Sequence, residues 1–445
     1  MTSAAPLATL TPPPPGRGRW RLTVHNRAYQ IGTGGQWQWP AAVYPSQTGI
    51  GELVEARNRV ITQQWCQPAS LSFDIDGHSA GAEMLTELGT DVIAWRWDDT
   101  QGADVPIFRG PVCQSQDTLD GQSHSVTFTC HDYLALMSRR YIPNGSPYSQ
   151  NGDQDNIVWI LVQYAAGCSY QSGTAPFTNL FPGSALPVYI AFVNPDGTSR
   201  AQGTTGQTRV RTYFGGQGLG AAIDELAKSG PSPVNGYATS FDYDLLGRSD
   251  LNGWDTLRIW YPQQGVSRSD VALVYGSTVA GIVRQVDSST YSNYVRLIGN
   301  NGQSDPMQPQ MFAEAWNADC TTGSPGAVGM WQDSRNDSAD VNALATLTQR
   351  ANGQLGLEGQ LVPSYQLTLV PGWYRPGKPS MGDTVPLVIR SGRLKVNQNV
   401  RVLGITYTVG DDGNEDVTLA VGRARVSFSE LVRTSQSQID ALARR

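Results

Sequence analysis

One design occurs near both ends of this 445-residue chain. Residues 112–140 place an Asp-Gly turn, Asp120-Gly121, between two runs of alternating apolar residues, and an amphipathic stretch follows. Residues 400–444 repeat that order around Asp411-Asp412-Gly413. An Asp-Gly pair between alternating runs is typical of a β-hairpin, because the tight turn needs positive φ. Two such units predict a repeated ring-building module rather than an enzyme with a single cleft.

Length and composition favour several β-rich domains. A chain of 445 residues is too long for one ordinary domain, and 48 Gly and 27 Pro indicate many turns and short strands. Only 16% of the residues are charged, and the formal net charge is -6. Binding to nucleic acid through phosphates requires clustered Lys and Arg, so this balance argues against that class of function.

We therefore predict a mainly β, multidomain fold with α+β insertions, in which two related antiparallel β-barrels flank a mixed α/β middle region. The predicted parts are an extended N-terminal arm (1–19), a first β-barrel domain (20–142), a mixed insertion domain (143–285), an α+β domain (286–365), a second β-barrel domain (366–428) and a C-terminal helix (429–445). The arm rests on the run of prolines at positions 12–15, which prefers extended conformations. Two interpretations of this arm remain: a disordered tail, or a strap that lies on a neighbouring subunit.

Apolar periodicity predicts the positions of helices and strands along the chain. Ser338 is a candidate N-cap for the longest mid-chain helix, and a strand is expected again from Gly356. Residues 237–243 and 256–261 read as a hairpin, and 294–298 as a strand. The predicted helices are 80–88, the stripe of Tyr133, Leu134, Met137 and Tyr141, 156–166, 219–228 and 338–354.

Motifs for catalysis and cofactor binding are missing from the sequence. Neither HExxH nor GxSxG occurs. His131-Asp132 precedes a predicted helix, where Asp132 suits a helix cap better than a catalytic pair. The Gly215–Gly220 stretch lacks the spacing of a phosphate loop, and a flexible loop entering a helix explains it better. We predict no catalytic residue and no cofactor-binding residue.

The sequence signals for a metal site or a disulfide bond are equally weak. Asp74-Ile75-Asp76-Gly77 resembles the start of a calcium loop, but position 12 is Leu85 where a bidentate Glu is required. The acidic residues Asp411, Asp412, Glu415 and Asp416 fit a solvated turn, with a cation site as the alternative. Five cysteines without a CxxC pair are best read as buried apolar groups. We predict no metal site and no cofactor.

Two other classes of function stay open at this point. A pair of carboxylates could serve a cell-wall glycosidase, but nothing selects a pair among 38 Asp and Glu residues. A carbohydrate-binding module would use tryptophans for stacking on sugars, although packing is the default role of aromatic residues in alternating strands. The candidate tryptophans are Trp37, Trp39, Trp95, Trp97, Trp254, Trp260 and Trp373.

Targeting signals are not expected. The N-terminus shows no basic region followed by an apolar core, and no apolar run approaches the roughly 18 residues of a membrane-spanning helix.

The order of the motifs resembles the hub proteins of phage tails, which are the minor tail or baseplate hub proteins of long-tailed phages, especially actinobacterial siphophages. The first barrel of that family is similar to Phe108-Arg109-Gly110-Pro111-Val112, residues 126–130, His131-Asp132-Tyr133-Leu134 and Arg139-Arg140. Its insertion domain is similar to residues 236–241 and 257–262. Its second barrel is similar to residues 382–385, 400–405, 417–419 and Gly422-Arg423.

The resemblance implies a non-enzymatic structural protein of the virion, located at the tail tip. It implies a homotrimer in which two barrels from each copy form a pseudo-sixfold ring around a lumen for DNA. The implied partners are a distal tail protein or tail tube ring, the tape measure protein, and tail-tip spike or fibre proteins. The acidic balance suits a channel wall that must not hold DNA. A face of the final helix formed by Phe428, Leu431, Val432, Ile439 and Leu442 is expected to pack on its own barrel or on a neighbour.

Overall fold

The computed structural model describes most of the chain between Trp20 and Gly422. The described residues are 20–26, 30–31, 37–38, 49–99, 101–121, 123–142, 148–165, 168–169, 178–179, 188–228, 241–246, 255–286, 288, 291–299, 311–320, 328–338, 344–359, 361, 363–375, 377–411 and 413–422. The predicted arm (1–19) and C-terminal helix (429–445) lie outside these residues.

Strands dominate the described part of the chain. They are β1 (Trp20–Asn26), β2 (Gln30–Ile31), β3 (Trp37–Gln38), β4 (Gly49–Glu52), β5 (Arg57–Gln64), β6 (Ser70–Asp76), β7 (Thr90–Asp98), β8 (Ala103–Asp120), β9 (Ser123–His131), β10 (Tyr148–Asp153), β11 (Cys168–Ser169), β12 (Thr178–Asn179), β13 (Val188–Val193), β14 (Thr208–Tyr213), β15 (Asp242–Leu246), β16 (Asp255–Trp260), β17 (Leu273–Val274), β18 (Val279–Gln285), β19 (Tyr294–Gly299), β20 (Phe312–Trp316), β21 (Gln332–Ser338), β22 (Ser364–Leu369), β23 (Thr384–Ser391), β24 (Leu394–Val409) and β25 (Glu415–Gly422).

Helices are fewer and mostly short. They are α1 (Ala80–Glu83), α2 (Tyr133–Ser138), α3 (Gln154–Ala165), α4 (Leu219–Lys228) and α5 (Leu344–Glu358), together with a 3₁₀ turn at Ala318–Cys320. The expected mainly β, multidomain class with mixed insertions is therefore confirmed.

Two compact units divide the chain. The first comprises Met1–Lys228, Phe241–Ile282 and Gln366–Val421, and the second comprises Ser229–Ser240, Val283–Tyr365 and Gly422–Arg445. The six-part division expected from the sequence stays a prediction. No helix among the described residues is long and apolar enough to span a membrane.

A 13-stranded sheet carries the fold. Its strands run in the order β18-β22-β25-β24-β5-β6-β9-β8-β7-β1-β4, with β23 joined to β24 and β17 to β23. Alternating burial explains how the strands pack: Leu71, Phe73 and Ile75 of β6 are buried while the residues between them are not. No ladder among the described strands closes this sheet into a barrel.

The sheet contains the same five-strand module twice. In the first module (β5–β9) the strands lie in the order β5-β6-β9-β8-β7. In the second module (β18 and β22–β25) they lie in the order β18-β22-β25-β24-β23. Numbered along the chain, both modules have the order 1-2-5-4-3. The repeat expected from the two hairpins is thus present as a shared topology.

Both predicted hairpins form, and their glycines have the expected geometry. Gly121 has φ 60° between β8 and β9, and Gly413 has φ 76° between β24 and β25. Asp132 caps α2, because its side chain accepts the Ala135 N–H. The helix ends at Ser138, earlier than the apolar stripe predicted, and Tyr141 beyond it is 64% exposed.

The insertion between the modules shares one apolar core with α2 and Cys66 of the first module, within the first unit. Parallel β13 and antiparallel β15 flank β16, and α3 and α4 pack together nearby. Residues such as Ile157, Leu161, Ala222 and Leu257 are fully buried in one apolar cluster. Of the predicted hairpin of 237–243 and 256–261, residues 237–240 lie outside the described residues. Strands β15 and β16 pair antiparallel at 242–246 and 256–260, and α4 has the predicted bounds.

Two helix predictions were wrong in their bounds. Ser338 does not cap a helix: it ends β21, which pairs in parallel with β19, and the helix α5 begins at Leu344. The helix also continues through Gly356 to Glu358. The pairing of β21 with β19 thus overrides the capping pattern at Ser338. The helix that follows buries Leu347, Ala351 and Leu355 against β19 and β20. Helix α1 ends at Glu83 rather than position 88, where Leu88 has φ 58°.

A matched pair of glycine substitutions tests the packing of the first module. A Cβ at Gly110 would lie 2.0 Å from the backbone oxygen of His131, whereas one at Gly121 meets no atom within 4 Å. Gly110→Ala should therefore lower the free energy of unfolding by about 3 kcal/mol or more, since two strands must separate. Gly121→Ala should cost only about 1 kcal/mol for its positive φ. Equal losses in urea unfolding would contradict the described packing.

Candidate functional site

The acidic residues singled out in the sequence have structural partners. Asp132 accepts hydrogen bonds from the backbone N–H groups of Ala69 (2.9 Å) and Ala135 (3.3 Å). Burial raises the pKa of this carboxyl to about 7. Asp74 accepts from the side chains of Asn58 and Thr127. These contacts describe a helix cap and cross-strand pairs.

The motifs considered for a metal ion or a phosphate group lie in turns and at a helix start. Within the described residues, no group of three or more His, Cys, Asp and Glu side chains could hold a metal ion. Of the acidic turn, Asp412 lies outside the described residues and Glu415 binds an arginine. Gly216 has φ 83° in the turn before α4. That loop leads into the helix as expected.

The described cysteines are buried or half-buried, and Trp97 and Trp260 of the predicted tryptophans are buried. Cys66, Cys113, Cys130 and Cys320 are free thiols, and burial raises the pKa of Cys66 and Cys130. Four side chains of these two residue types lie outside the described part of the structure: Cys168, Trp37, Trp39 and Trp254. Two tryptophans from the predicted set donate to neighbouring side chains: Trp95 to Thr23 (2.8 Å) and Trp260 to Asp244 (2.9 Å).

A polar cleft of roughly 430 Å³ lies in the first unit. Its carboxylates are already engaged. Asp244 accepts from Arg258 and from the Gln264 amide, and Asp383 accepts from the backbone N–H groups of Val266 and Ser380. Asp132 and Asp196 also line the cleft, and both accept hydrogen bonds from backbone N–H groups.

The seam between the two modules is the most distinctive site of the chain. Strand β24 of the second module pairs antiparallel with β5 of the first, from Gly404 opposite Gln64 to Val409 opposite Arg59. The backbone N–H of Trp65 extends this ladder to the Leu403 oxygen (2.8 Å). Because β25 lies on the other edge of β24 and β6 on the other edge of β5, the modules form one continuous sheet.

A buried ion pair locks the seam. The Arg96 guanidinium of β7 donates two bonds of 2.6 Å to the Glu415 carboxylate of β25. Trp20 Nε1 donates to the same carboxylate at 2.6 Å, and Arg96 lies over the Tyr374 ring. Arg96 is fully buried and the Glu415 side chain is 9% exposed. A bidentate pair with a third donor satisfies the buried charge and fixes the geometry across the modules.

Two further buried arginines join the insertion to the modules. Arg401 of β24 binds Asp242 of β15 and also donates to the Gln264 oxygen (2.8 Å). Arg109 of β8 binds Asp255 of β16 at 3.1 Å. Each module thus holds the insertion through one arginine–carboxylate pair in the core of the first unit.

His25 of β1 lies beside the second of these pairs. Burial is the largest cause that lowers its pKa to about 4, and the positive charge of Arg109 adds to it, while Asp91 opposes both. The imidazole is therefore neutral at neutral pH.

Sequence reasoning missed these arginine pairs. Arg96 and Glu415 are 319 residues apart, and Glu415 was singled out only as part of an acidic turn. The one available signal was the position of Arg96 in the otherwise apolar run 92–97, where a buried charge requires a partner.

Comparisons with known proteins show a likeness of fold. No protein-family model matches the chain, and no curated relative matches it. The crystal structure of the 43 kDa tail protein of prophage MuSo2 from Shewanella oneidensis is similar at 12% identity and a TM-score of 0.52, over 91% of this chain and 98% of that one. The tail protein from Neisseria meningitidis MC58 is similar at 11% identity and a TM-score of 0.51, over 91% and 96%. The chain shares the fold of these two tail proteins.

Removal of one partner of the seam pair should destabilise the protein. Arg96→Met leaves Glu415 buried without its cation, so the free energy of unfolding should fall by about 3–5 kcal/mol. The double variant Arg96→Met, Glu415→Leu should recover most of the loss. The control is Arg375→Met, because Arg375 pairs with Asp99 at the surface and such pairs contribute about 1 kcal/mol or less. A loss no larger than that of the control would show that the pair does not lock the seam.

Stability should also depend on the titration of His25. The unfolded chain binds a proton near pH 6.5 and the folded chain only near pH 4, so stability rises with pH between these values. Below pH 4 the loss attributable to His25 should reach about 3 kcal/mol. It is measured as the difference between wild type and His25→Gln in urea unfolding from pH 4 to 7. The opposite contribution of Asp132 cancels in this difference. Parallel curves would contradict the assignment.

Proposed function

We propose that this protein is a structural component of a phage tail, and that it acts as the hub at the tail tip. The observation that carries the proposal is the pair of five-strand modules joined edge to edge within one chain. Two near-equivalent modules allow three copies to present six similar surfaces. The fold shared with the tail protein of prophage MuSo2 and with the tail protein from Neisseria meningitidis supports the same role.

In this proposal the protein assembles as a homotrimer. Its six modules form a pseudo-sixfold ring on which a sixfold distal tail protein or tail tube ring stacks. Spike or fibre proteins occupy the opposite, threefold face, and the tape measure protein ends at the ring. DNA crosses the lumen without specific binding, which suits a chain with a formal net charge of -6.

The role is structural rather than catalytic. Support for this comes from the engaged carboxylates of the cleft and from the caps and ion pairs that occupy the other candidate residues. The three buried arginine pairs tie the modules and the insertion together within the first unit, as an assembly component requires.

Two measurements test the proposed function. Gold-labelled antibodies against this protein should bind one end of the tail in electron micrographs of particles. Native mass spectrometry of the purified protein at increasing concentration, alone and with tube and tip partners, should show three copies of the 48.1 kDa chain, or 144 kDa. Label along the tail tube, or a 48.1 kDa monomer that persists beside those partners, would contradict the proposal.

A further inference from the structure

The second unit contains a small sheet with two different faces. Its strands lie in the order β20-β19-β21. Val295, Leu297, Ala313 and Ala315 bury against α5 on one face. Because side chains alternate along a strand, the residues between them lie on the opposite face. We call this second surface the aromatic face, and its residues on the antiparallel pair β19 and β20 are Tyr294, Arg296, Ile298, Phe312, Glu314 and Trp316.

Exposed aromatic rings stand at both ends of β20 on this face. Trp316 is 59% exposed and Phe312 is 44% exposed. Trp316 stacks with Tyr294, and the ring centroids are 6.5 Å apart with the planes at 20°. Of the tryptophans considered from the sequence for stacking on sugars, Trp97 and Trp260 are buried instead. Grouped aromatic rings that face water indicate a binding surface, whereas single exposed ones need no explanation.

The centre of the aromatic face is polar. Arg296 and Glu314 stand directly opposite each other in the ladder, and Arg296 Nε lies 3.9 Å from Glu314 Oε1. That distance is too long for a hydrogen bond, and Arg296 Nε has no hydrogen-bond partner among the described residues. Glu314 also accepts a hydrogen bond from Tyr294, which raises the pKa of that hydroxyl. The two charges balance, so the face offers donors and acceptors between its rings without a net charge.

The dimensions of the aromatic face fit a small ligand better than a protein partner. Strand β20 spans about 13 Å and the three strands lie about 5 Å apart, so the face covers on the order of 100–200 Å². A stable protein interface buries about 800 Å² on each partner. The core of such an interface is also depleted in charged residues, whereas Arg296 and Glu314 occupy the centre here.

We propose that the aromatic face binds a neutral carbohydrate chain of a few sugar rings. A sugar ring has an apolar C–H side that stacks on an aromatic ring, and a rim of hydroxyl groups that both donate and accept hydrogen bonds. Trp316 and Phe312 stack with sugar rings at the two ends of the face. Arg296 and Glu314 bind hydroxyl groups between them. The inference adds a binding activity to the proposed tail component and does not depend on how that component assembles.

Binding of the full chain to an array of neutral and acidic glycans tests the class of ligand. At least one neutral oligosaccharide should bind, and the corresponding monosaccharide should bind roughly tenfold more weakly or less, because it reaches only one of the two rings. An array on which no neutral glycan binds, or on which only acidic glycans bind, would overturn the inference. The proposed function would stand in either case, since it rests on the modules of the first unit.

Substitutions in the aromatic face test its location, with the affinity for the best neutral glycan measured by isothermal titration calorimetry. Trp316→Ala should weaken binding roughly tenfold, whereas Trp316→Phe keeps a ring and should stay within about threefold of wild type. Glu314→Ala should also weaken binding roughly tenfold, because hydrogen bonds to a charged group are lost.

Leu344→Ala is the matched control, because Leu344 is 55% exposed and lies on α5, which packs on the other face of the sheet. This variant should bind like wild type, and thermal unfolding checks that every variant folds. A glycan that binds Trp316→Ala and Glu314→Ala as tightly as wild type would show that its site lies elsewhere. Equal losses in Trp316→Ala and Leu344→Ala would also contradict the inference.

Discussion

The backbone ladder between β24 and β5 is the interaction on which the rest of this structure depends. A sheet edge exposes unpaired N–H and C=O groups, and each module alone would leave two such edges. The ladder from Gly404 to Val409 satisfies one edge of each module by joining them. It also fixes their relative position, since a shift by one residue would turn every side chain of one strand to the wrong face.

Buried charge then makes this arrangement specific. Arg96, Arg109 and Arg401 each reach a carboxylate on a different part of the chain, and an unpaired guanidinium in these positions would be costly. Apolar packing alone would tolerate small rotations of one module against another. The three ion pairs do not, because each guanidinium must stay within hydrogen-bonding distance of its carboxylate, and the Arg96–Glu415 pair is bidentate as well. A rigid seam between modules is what a ring component needs if its outer surfaces are to match other rings.

Local chemistry explains which features could be predicted from the sequence. The hairpin glycines, the Asp132 cap and the bounds of α4 follow from turn geometry, hydrogen bonding and periodicity within about ten residues. Ser338 shows the limit: a good capping residue becomes the end of a strand once β19 offers a ladder. The arginine pairs could not be predicted, because their partners lie up to 319 residues away. The repeat was visible as two hairpins, but its common strand order requires the long-range pairings.

The central claim is that two modules within one chain imitate two neighbours of a sixfold ring. A moderate-resolution electron microscopy map of the isolated assembly tests it most directly. We predict six similar lobes around an axial opening, in which contacts within a chain and contacts between chains alternate and look alike. Three lobes, or six lobes with one module type facing the axis and the other facing outward, would contradict the account.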